Sequence, residues 1–308
     1  MAAIAEATSD PYARFRDELI DAGLLIPVGV RGLYGRSGEL ESVIEGFDAY
    51  VTKRAADRPA EVIHLPPVLS RRTYLKTDHS ETFPQLMGSV HTFMGDERKH
   101  LQLSAKRASG EDWTTELTPS EVMLAPATCY AVYPMATGTL PPGGRTIDLR
   151  SFVFRHEPSD DPARMQSFRM REFVRIGTPD EALEHRDHWL RLAEEILLDV
   201  GLDVKPVVAN DPFFGRGGRV MAATQREQEL KYELVATVAS DEKPTAVASA
   251  NYHLDHFGLP FEIRTSDGLV AHSACLGFGR ERVALALVRK HGFRPAQWPA
   301  EVRRILSL

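Results

Sequence analysis

The fold is decided by two segments, Phe154-Arg155-His156-Glu157 and Phe168-Arg169-Met170-Arg171-Glu172-Phe173-Val174-Arg175-Ile176-Gly177, which a variable loop separates. Both segments are β-rich, so they predict two strands joined by that loop. Directly after them, Thr178-Pro179-Asp180-Glu181 forms a capping box with proline at the first helical position, and Gly201 follows as a stop signal. The stretch therefore predicts two strands followed by one helix.

Side chains of the types that bind a nucleotide lie in these segments and in the C-terminal run Gly277-Phe278-Gly279-Arg280-Glu281-Arg282. An arginine fork binds phosphate bidentately, an aromatic face stacks on adenine, and a carboxylate accepts a hydrogen bond from the adenine amino group. The four candidates are Arg155, Glu157, Phe168 and Arg282. Each alone could be a solvated charge or a packed ring on a strand, but their combined order favours an ATP site.

In the rest of the chain, the sequence pattern predicts strands with helices on either side. This order predicts an α+β fold with an antiparallel sheet. The predicted strands are 147–154, 168–176, 204–209, 234–238, 246–252 and 269–276. The predicted helices are 10–22, 39–54, 178–201 and a final helix 279–290. Without internal repeats or low-complexity segments, residues 1–308 are expected to form one domain.

Charge and cysteine content narrow the classes of function. A net charge of −6 argues against an extended nucleic-acid surface, which needs a basic face. Residues 1–6 carry an acid where a signal peptide has a basic region, and no apolar window reaches transmembrane length. Cys129 and Cys275 lie far apart, so no structural disulfide is expected. We therefore expect a cytoplasmic protein with no membrane partner.

The order of the two strands, the run Phe-Val-Arg-Ile-Gly-Thr with its helix, and the C-terminal run resembles motifs 2 and 3 of class II aminoacyl-tRNA synthetases. The resemblance extends from about Gly29 to the C-terminus. It is strongest to the atypical seryl-tRNA synthetases of methanogens and to their truncated bacterial relatives, the amino acid:[carrier protein] ligases. It implies a class II synthetase-like catalytic domain, in which helices flank an antiparallel β-sheet.

In the family's reaction, the carboxylate of an amino acid attacks the α-phosphorus of ATP and forms an aminoacyl-adenylate and pyrophosphate. A nucleophile then takes the acyl group. The protein mainly positions the reactants and neutralises phosphate charge. The resemblance implies that Arg155 holds the α-phosphate, Glu157 contacts adenine, Phe168 stacks on the base, and Arg282 reaches the terminal phosphate.

Magnesium normally bridges the phosphates in nucleotide sites of this kind. The synthetase pattern supplies a carboxylate just before a Ser-x-Asn run, whereas this chain has Thr245-Ala246-Val247-Ala248-Ser249-Ala250-Asn251. This departure leaves Glu233 and Asp255 as the substitute candidates for binding Mg²⁺.

The two cysteines have two interpretations. By their residue type and spacing, Cys129 and Cys275 read as small buried hydrophobic residues, because no CxxC or HxxxH cluster accompanies them. The resemblance implies instead that Cys129, Glu172 and Cys275 bind one Zn²⁺ per subunit and leave a fourth position for the substrate's α-amino group. Such a site would reject hydroxy acids. Glycine or alanine is then the expected substrate. Both are named because a pocket that excludes one methyl group discriminates only modestly between two amino acids of this size.

Basic residues near the site are the candidates for contact with a partner. The run Gly215-Arg216-Gly217-Gly218-Arg219 lacks the Walker lysine context and is predicted to be a basic, mobile loop. The candidates for docking an acidic carrier protein are Arg164, Arg169, Arg216, Arg219 and Arg226. His156 and His253 are expected in strands near the site, as structural residues that donate or accept hydrogen bonds.

Three functions follow from these observations. The first is ATP-dependent activation of a small amino acid and its transfer to the phosphopantetheine thiol of a carrier protein. The second is a minimal seryl-type aminoacyl-tRNA synthetase, which requires a basic face. The third is a catalytically inactive synthetase-like module that only binds. The first is preferred and no tRNA partner is expected, because the chain has no room for a tRNA-binding extension.

The predicted helix 39–54 carries an apolar stripe at helical spacing. The stripe consists of Leu40, Val43, Ile44, Phe47, Tyr50 and Val51. The resemblance places motif 1 in this region, ending near Pro66-Pro67, and motif 1 builds a dimer interface in the family. We therefore expect a homodimer and a stripe that is partly exposed in a single subunit.

Overall fold

The computed structural model describes residues 10–308. The expectation of no signal peptide rests on residues 1–6, which lie outside the described residues. The strands are β1 (Leu25–Pro27), β2 (Tyr34–Arg36), β3 (Glu61–His64), β4 (Val68–Ser70), β5 (Ser89–Thr92), β6 (Thr118–Leu124), β7 (Gly138–Thr139), β8 (Arg145–Phe154), β9 (Ser167–Gly177), β10 (Lys205–Val208), β11 (Lys231–Ala236), β12 (Thr245–Leu254), β13 (Ile263–Arg264) and β14 (His272–Gly279). The α-helices are α1 (Pro11–Asp21), α2 (Gly38–Arg54), α3 (Arg71–Lys76), α4 (His79–Thr82), α5 (Glu97–Ser109), α6 (Pro179–Asp199), α7 (Gly215–Glu227), α8 (Arg280–His291) and α9 (Ala300–Leu306).

A seven-stranded sheet in the order β10-β11-β12-β14-β9-β8-β3 forms the centre of the fold. Its neighbouring strands are antiparallel except for the β3–β8 pair, which is parallel. A smaller three-stranded sheet has the order β4-β6-β5. The prediction of an antiparallel sheet flanked by helices is confirmed, and all six predicted strands occur with bounds shifted by a few residues.

The two faces of the large sheet carry different side chains, because successive residues of a strand point to opposite faces. On β9, Phe173 packs with the core that α2, α6 and α8 cover, and its ring stacks on that of Trp189 at 3.8 Å between centroids. Val174 belongs to a second core on the other face, together with Cys129 and Cys275. The sheet thus separates a helix-covered face from a face that carries the predicted site.

The long helices begin and end close to the predicted positions. Thr178 caps α6 through the predicted capping box with Glu181. The prediction that α8 is the final helix is wrong, because α9 follows and buries Val302 and Leu306. Its seven residues are too few to show a helical period clearly. Across residues 10–308, none of the helices combines the length and the apolar character needed to cross a bilayer.

The glycine-rich run 215–219 is the first part of α7, so the prediction of a loop is wrong. A Cβ atom at Gly218 would lie 2.7 Å from the carbonyl carbon of Phe213, which shows that this glycine permits a close backbone approach. Two hydrogen bonds hold α7 in place. The amide of Gln225 donates to Asp211 Oδ2 at 2.9 Å, and the backbone N–H of Asp211 donates to Gln225 Oε1 at 2.8 Å.

The apolar stripe of α2 is buried inside the subunit. Leu40, Val43, Ile44, Phe47 and Val51 are each at most 1% exposed. They pack in the same core as residues of α6, α8 and α9, and the ring of Phe47 meets that of Phe278 edge to face at 5.4 Å. The expectation that this stripe stays partly exposed in a single subunit is therefore wrong for these five residues, because the chain's own helices cover them, and only Tyr50 remains half-buried.

Candidate active site

A cavity of about 850 Å³ lies against the face of the sheet opposite the α2–α6–α8 core. Side chains that alternate along β9 form part of its floor, namely Phe168, Met170 and Glu172. From β14 the floor receives Cys275 and Gly277, the second of which stands opposite Glu172 in the strand register. Glycine suits this place because a Cβ there would lie 3.1 Å from Met170 Cε and narrow the cavity.

One end of the cavity is cationic. Arg155 lies with its guanidinium carbon 5.5 Å from the centroid of Phe168, and its Nε donates to the carbonyl oxygen of Pro126 at 2.9 Å. Arg282 is held by the carbonyl oxygens of Ala163 and Ala246 at 2.7 and 3.1 Å. The structure thus brings three of the four predicted nucleotide-binding residues into one cavity.

The two arginines at this end repel each other. Burial, followed by the charges of Arg155 and Arg164, lowers the pKa of Arg282 to about 10. Its hydrogen bonds go to carbonyl oxygens, and the charges of Glu157 and Asp161 offset its positive charge only in part. An anion bound between Arg155 and Arg282 would remove the repulsion, so this end of the cavity suits phosphate groups.

Glu157, the fourth predicted residue, does not line the cavity. Its carboxylate accepts a hydrogen bond from Arg164 at 3.2 Å, beside the cationic end. His156 is exposed and follows the end of β8, so the expectation of a strand histidine is wrong at this position.

Cys129, Glu172 and Cys275 come together although they are distant in the sequence. Their ligand atoms all lie within 4.8 Å of one another, and all three residues are buried. Cys129 begins a short 3₁₀ turn, while β9 and β14 present Glu172 and Cys275 from neighbouring strands. Two sulfur atoms and one carboxylate form a donor set that suits Zn²⁺, so the residues fit the metal that the resemblance implies.

Polar neighbours orient this cluster. The backbone N–H of Thr128 donates to Glu172 Oε1 at 2.8 Å, and the amide nitrogen of Asn251 donates to Cys275 Sγ at 3.5 Å. His253 Nε2 lies 3.7 Å from the same sulfur, and its Nδ1 lies 3.2 Å from Ser273 Oγ. Such outer contacts fix the orientation of metal ligands. His253 lies in β12 beside the site and contacts Ser273 Oγ, as the sequence predicted, but its contact with the Cys275 sulfur was not predicted.

The protonation of the cluster is unusual. A hydrogen bond from Cys129 is the largest cause that holds the pKa of Cys275 well below its ordinary value, and His253 adds to the effect. Burial, followed by the charge of Cys275, raises the pKa of Glu172 to about 7. A bound cation would favour the deprotonated forms of all three ligands, because metal ligation competes with protons.

Comparison with curated proteins identifies relatives of nearly the same length. The chain is 41% identical over 302 residues to amino acid–[acyl-carrier-protein] ligase 1 of Bradyrhizobium diazoefficiens, with 97% of this chain and 91% of the relative covered. It is 41% identical over 311 residues to ligase 2 of the same organism, with 99% and 92% covered. The chain belongs to this ligase family. No protein-family model matches the sequence.

More distant relatives agree with the fold of this ligase. The type-2 serine–tRNA ligase of Methanopyrus kandleri is 28% identical over 196 residues, which cover 58% of this chain and 37% of the relative. The M. kandleri seryl-tRNA synthetase, solved with a tRNASec of A. aeolicus, superposes with a TM-score of 0.81 at 22% identity and covers 95% of this chain and 60% of that one. The fold is that of a class II aminoacyl-tRNA synthetase catalytic domain.

A further group of polar residues lines the ligase cavity, and of these the sequence analysis named only Glu233 as a candidate for the site. Lys231 forms an ion pair with Asp211, which Gln225 of α7 also contacts, and a second one with Glu233 at 3.2 Å. Burial lowers the pKa of Lys231, but Asp211 and then Glu233 outweigh it, so the pKa is raised overall. Isolated charges in short strands carry no periodic signal that the sequence could reveal.

Proposed function

We propose that this ligase activates a small amino acid with ATP and transfers it to the phosphopantetheine thiol of a carrier protein. The observation that carries the proposal is the presence of two sites in one cavity. The Arg155–Arg282 end suits phosphate, and the Cys129–Glu172–Cys275 cluster suits a metal that selects an amine. The names of the two relatives at 41% identity agree with transfer of an amino acid to a carrier protein.

The nucleotide end supports the first half of the reaction. Phe168 offers its ring to adenine, Arg155 stands where charge develops at the α-phosphate, and Arg282 holds the terminal phosphate. For Glu157 to contact adenine, its carboxylate must turn away from Arg164. A seryl-tRNA synthetase of Pyrococcus horikoshii, 15% identical, was solved with ATP and shares this fold at a TM-score of 0.70.

Of the two candidates for binding Mg²⁺, we propose Glu233. It lines the cavity and stands opposite Ser249 in the sheet register. Arg282 contacts Ala246 near the start of β12, whereas Asp255 follows the end of that strand. Because strands rise about 3.3 Å per residue, Asp255 is roughly 25 Å or more along the strand from the phosphate end.

The cluster supports the choice of substrate. Zinc held by Cys129, Glu172 and Cys275 would supply a Lewis-acid position for the α-amino group and thereby exclude hydroxy acids. The chain's own residues keep the ligands in place, with Thr128 fixing the carboxylate and Asn251 and His253 fixing the Cys275 sulfur. The substrate carboxylate would then point towards Arg155, ready to attack the α-phosphorus.

In the second half of the reaction, the thiol sulfur would attack the carbonyl carbon of the adenylate. The sulfur–hydrogen bond breaks and its proton goes to water, a carbon–sulfur bond forms, the carbon–oxygen bond to phosphate breaks, and AMP leaves with that electron pair. The arginines proposed to dock the carrier lie on α7, which begins beside the exposed Phe214 and includes Arg216, Arg219 and Arg226. Arg219 and Arg226 are exposed, and so is Arg164 on the loop before β9.

The predicted docking role of Arg169 does not suit its surroundings. Its side chain is only 13% exposed, and it forms ion pairs with Glu41 and Glu281. A carrier could not reach this guanidinium without breaking both pairs. We therefore leave Arg169 out of the proposed docking surface.

An ATP–pyrophosphate exchange assay with a panel of amino acids tests the activation step. We expect exchange with glycine or alanine, and none with the matched hydroxy acids glycolate and lactate, because those lack the amine. Equal exchange with glycine and glycolate would contradict the role of the metal cluster. Absence of exchange with every amino acid would instead support an inactive binding module.

A further inference from the structure

The two faces of β9 carry different groups of side chains. Phe168, Met170 and Glu172 line the cavity, while Arg169 and Arg171 lie on the opposite face, towards α2. The side chain of Arg169 therefore stands back to back with the proposed ATP site. It directly follows Phe168 in the chain.

Arg169 makes a complete set of bonds to two carboxylates. Its backbone N–H donates to Glu281 Oε2 at 2.7 Å, and its Nε donates to Glu281 Oε1 at 2.7 Å. Its two terminal nitrogens lie 2.9 Å from the two carboxylate oxygens of Glu41 on α2. Glu281 is 2% exposed, so the contact between Arg169 and Glu281 is shielded from water. Arg36 also pairs with Glu41, at 2.5 Å.

This cluster joins the two elements that carry the nucleotide-binding side chains. Arg169 follows Phe168 on β9, and Glu281 precedes Arg282 in the first turn of α8. The bond from the backbone N–H of Arg169 to the Glu281 carboxylate fixes the main chain of β9 directly beside Phe168. The Arg169–Glu281 pair thus sets the distance between the adenine platform and the proposed phosphate-binding arginine.

We infer that Arg169 and Glu281 are positioning residues for ATP, with Glu41 holding the Arg169 fork from α2. The inference rests on the proposed function, because it assumes that ATP lies between Phe168 and Arg282. A displacement of about 1 Å in such a platform can cost up to about a hundredfold in rate or affinity. Removing the pair therefore weakens ATP binding without touching the metal cluster at the other end of the cavity.

A purely stabilising role predicts a different outcome. Replacing one partner of a buried ion pair lowers stability wherever the pair lies. Arg175 provides the matched control, because it lies on the same strand and face and is 18% exposed. It pairs with Glu181 at 2.9 Å, but its partner lies at the start of α6, away from α8.

The experiment measures the dissociation constant of ATP by calorimetry on the full chain, and KM for ATP and for the amino acid by pyrophosphate exchange. We expect Arg169→Met and the nearly isosteric Glu281→Gln to weaken ATP binding by about tenfold to a hundredfold, with KM for the amino acid changed by less than about twofold. Arg169→Lys should be intermediate, and Arg175→Met should bind ATP as the wild type does. Thermal unfolding shows whether each variant is folded.

The outcomes separate the inference from the proposed function. If wild-type protein binds ATP and both Arg169→Met and Glu281→Gln bind it equally well, the inference is wrong and the function stands. A parallel loss of affinity for ATP and the amino acid, or the same loss in Arg175→Met, would also overturn it, since those results indicate general loosening. Wild-type protein that binds no ATP would overturn the proposed function and the inference with it.

Discussion

Cys275 is the residue on which metal binding should depend most. It lies within 4.8 Å of the other two ligand atoms and receives a hydrogen bond from Asn251. Cys275→Ala leaves one sulfur and one carboxylate, too few for a tight zinc site, so we expect loss of the metal and of amino-acid activation together. Elemental analysis and the exchange assay measure the two effects. Metal-free protein that still activates an amino acid would overturn the proposed role.

Replacing Arg155 or Arg282 by alanine should change different kinetic constants. Arg155→Ala is expected to lower kcat by about a hundredfold to a thousandfold, because its charge is proposed to act on the transition state. Its side chain is only half-buried, so thermal stability should change little. Arg282→Ala should also raise KM for ATP, because this arginine is buried at the phosphate end. Near-normal exchange by a stable Arg155→Ala protein would contradict the assignment.

Some residues of the site could be predicted from the sequence and others could not, for physical reasons. Cys129 and Cys275 gave no spacing signal, and only the resemblance grouped them with Glu172. Glu172 and Cys275 meet because β9 and β14 are neighbours in the sheet, although these two strands are far apart in the chain. His253 was predicted near the site, but its contact with Cys275 was not, because one histidine in a strand has the same pattern whether it is structural or beside a metal ligand.

Among the elements, α7 should affect transfer to the carrier without affecting activation. Arg219 and Arg226 are exposed, and an acidic partner would lose attraction if both became glutamate. We expect Arg219→Glu with Arg226→Glu to slow thioester formation while ATP–pyrophosphate exchange stays unchanged. The control is Arg294→Glu with Arg304→Glu, which changes the net charge by the same amount at two exposed arginines of the C-terminal segment. Equal slowing by the control would show a general charge effect and contradict docking at α7.

The packing of α6 on β9 should make stability depend on pH. His185 Nε2 lies 3.0 Å from the carbonyl oxygen of Phe173, and burial lowers the pKa of His185 to about 4. The unfolded chain, with an ordinary pKa of about 6.5, binds the proton more readily. Stability is therefore complete above about pH 6.5 and falls as the pH drops towards about 4, by roughly 3 kcal/mol for this residue.

Urea unfolding at about pH 7.5 and about pH 5 measures this dependence in wild type and in His185→Gln, whose amide can still donate to the Phe173 carbonyl. The variant should lose less stability between the two pH values than the wild type does. Identical losses in the two proteins would show that His185 does not cause the effect.

Elements with long, regular patterns were predictable, and short ones were not. The apolar stripe of α2 and the capping box of α6 gave both helices nearly to the residue. α9 is short, and α7 contains Gly218, which permits a close approach of the backbone of Phe213, so local sequence rules predicted neither element correctly. Tertiary contacts decide such elements, and a single sequence does not display them.

For the whole molecule, dimerisation remains a prediction, and its interface is now expected at β3, in the later part of the motif 1 region, instead of at the α2 stripe. The α2 stripe is covered by the chain's own helices. Strand β3, in contrast, ends the large sheet, and within residues 10–308 its outer edge pairs with no strand. Val62 on this strand is 61% exposed. An open apolar strand edge is a site for pairing with another chain.

We therefore expect a dimer that persists at micromolar concentration and that Val62→Lys weakens. Light scattering and sedimentation measure the mass, with Leu269→Lys as the control, since Leu269 is similarly exposed at 62% but lies in a turn after β13 and not on β3. A stable wild-type monomer at that concentration would contradict the prediction. Equal weakening by both variants would place the contact elsewhere.

The identity of the acceptor decides the proposed function, since similarity to both acyl-carrier-protein ligases and type-2 serine–tRNA ligases leaves two acceptors to compare. The decisive experiment mixes the enzyme, ATP and radiolabelled glycine or alanine with either a phosphopantetheinylated carrier protein or total tRNA. We predict label on the carrier, in a thioester that hydroxylamine cleaves, and none on tRNA. Label on tRNA, with none on any of several carriers, would contradict it.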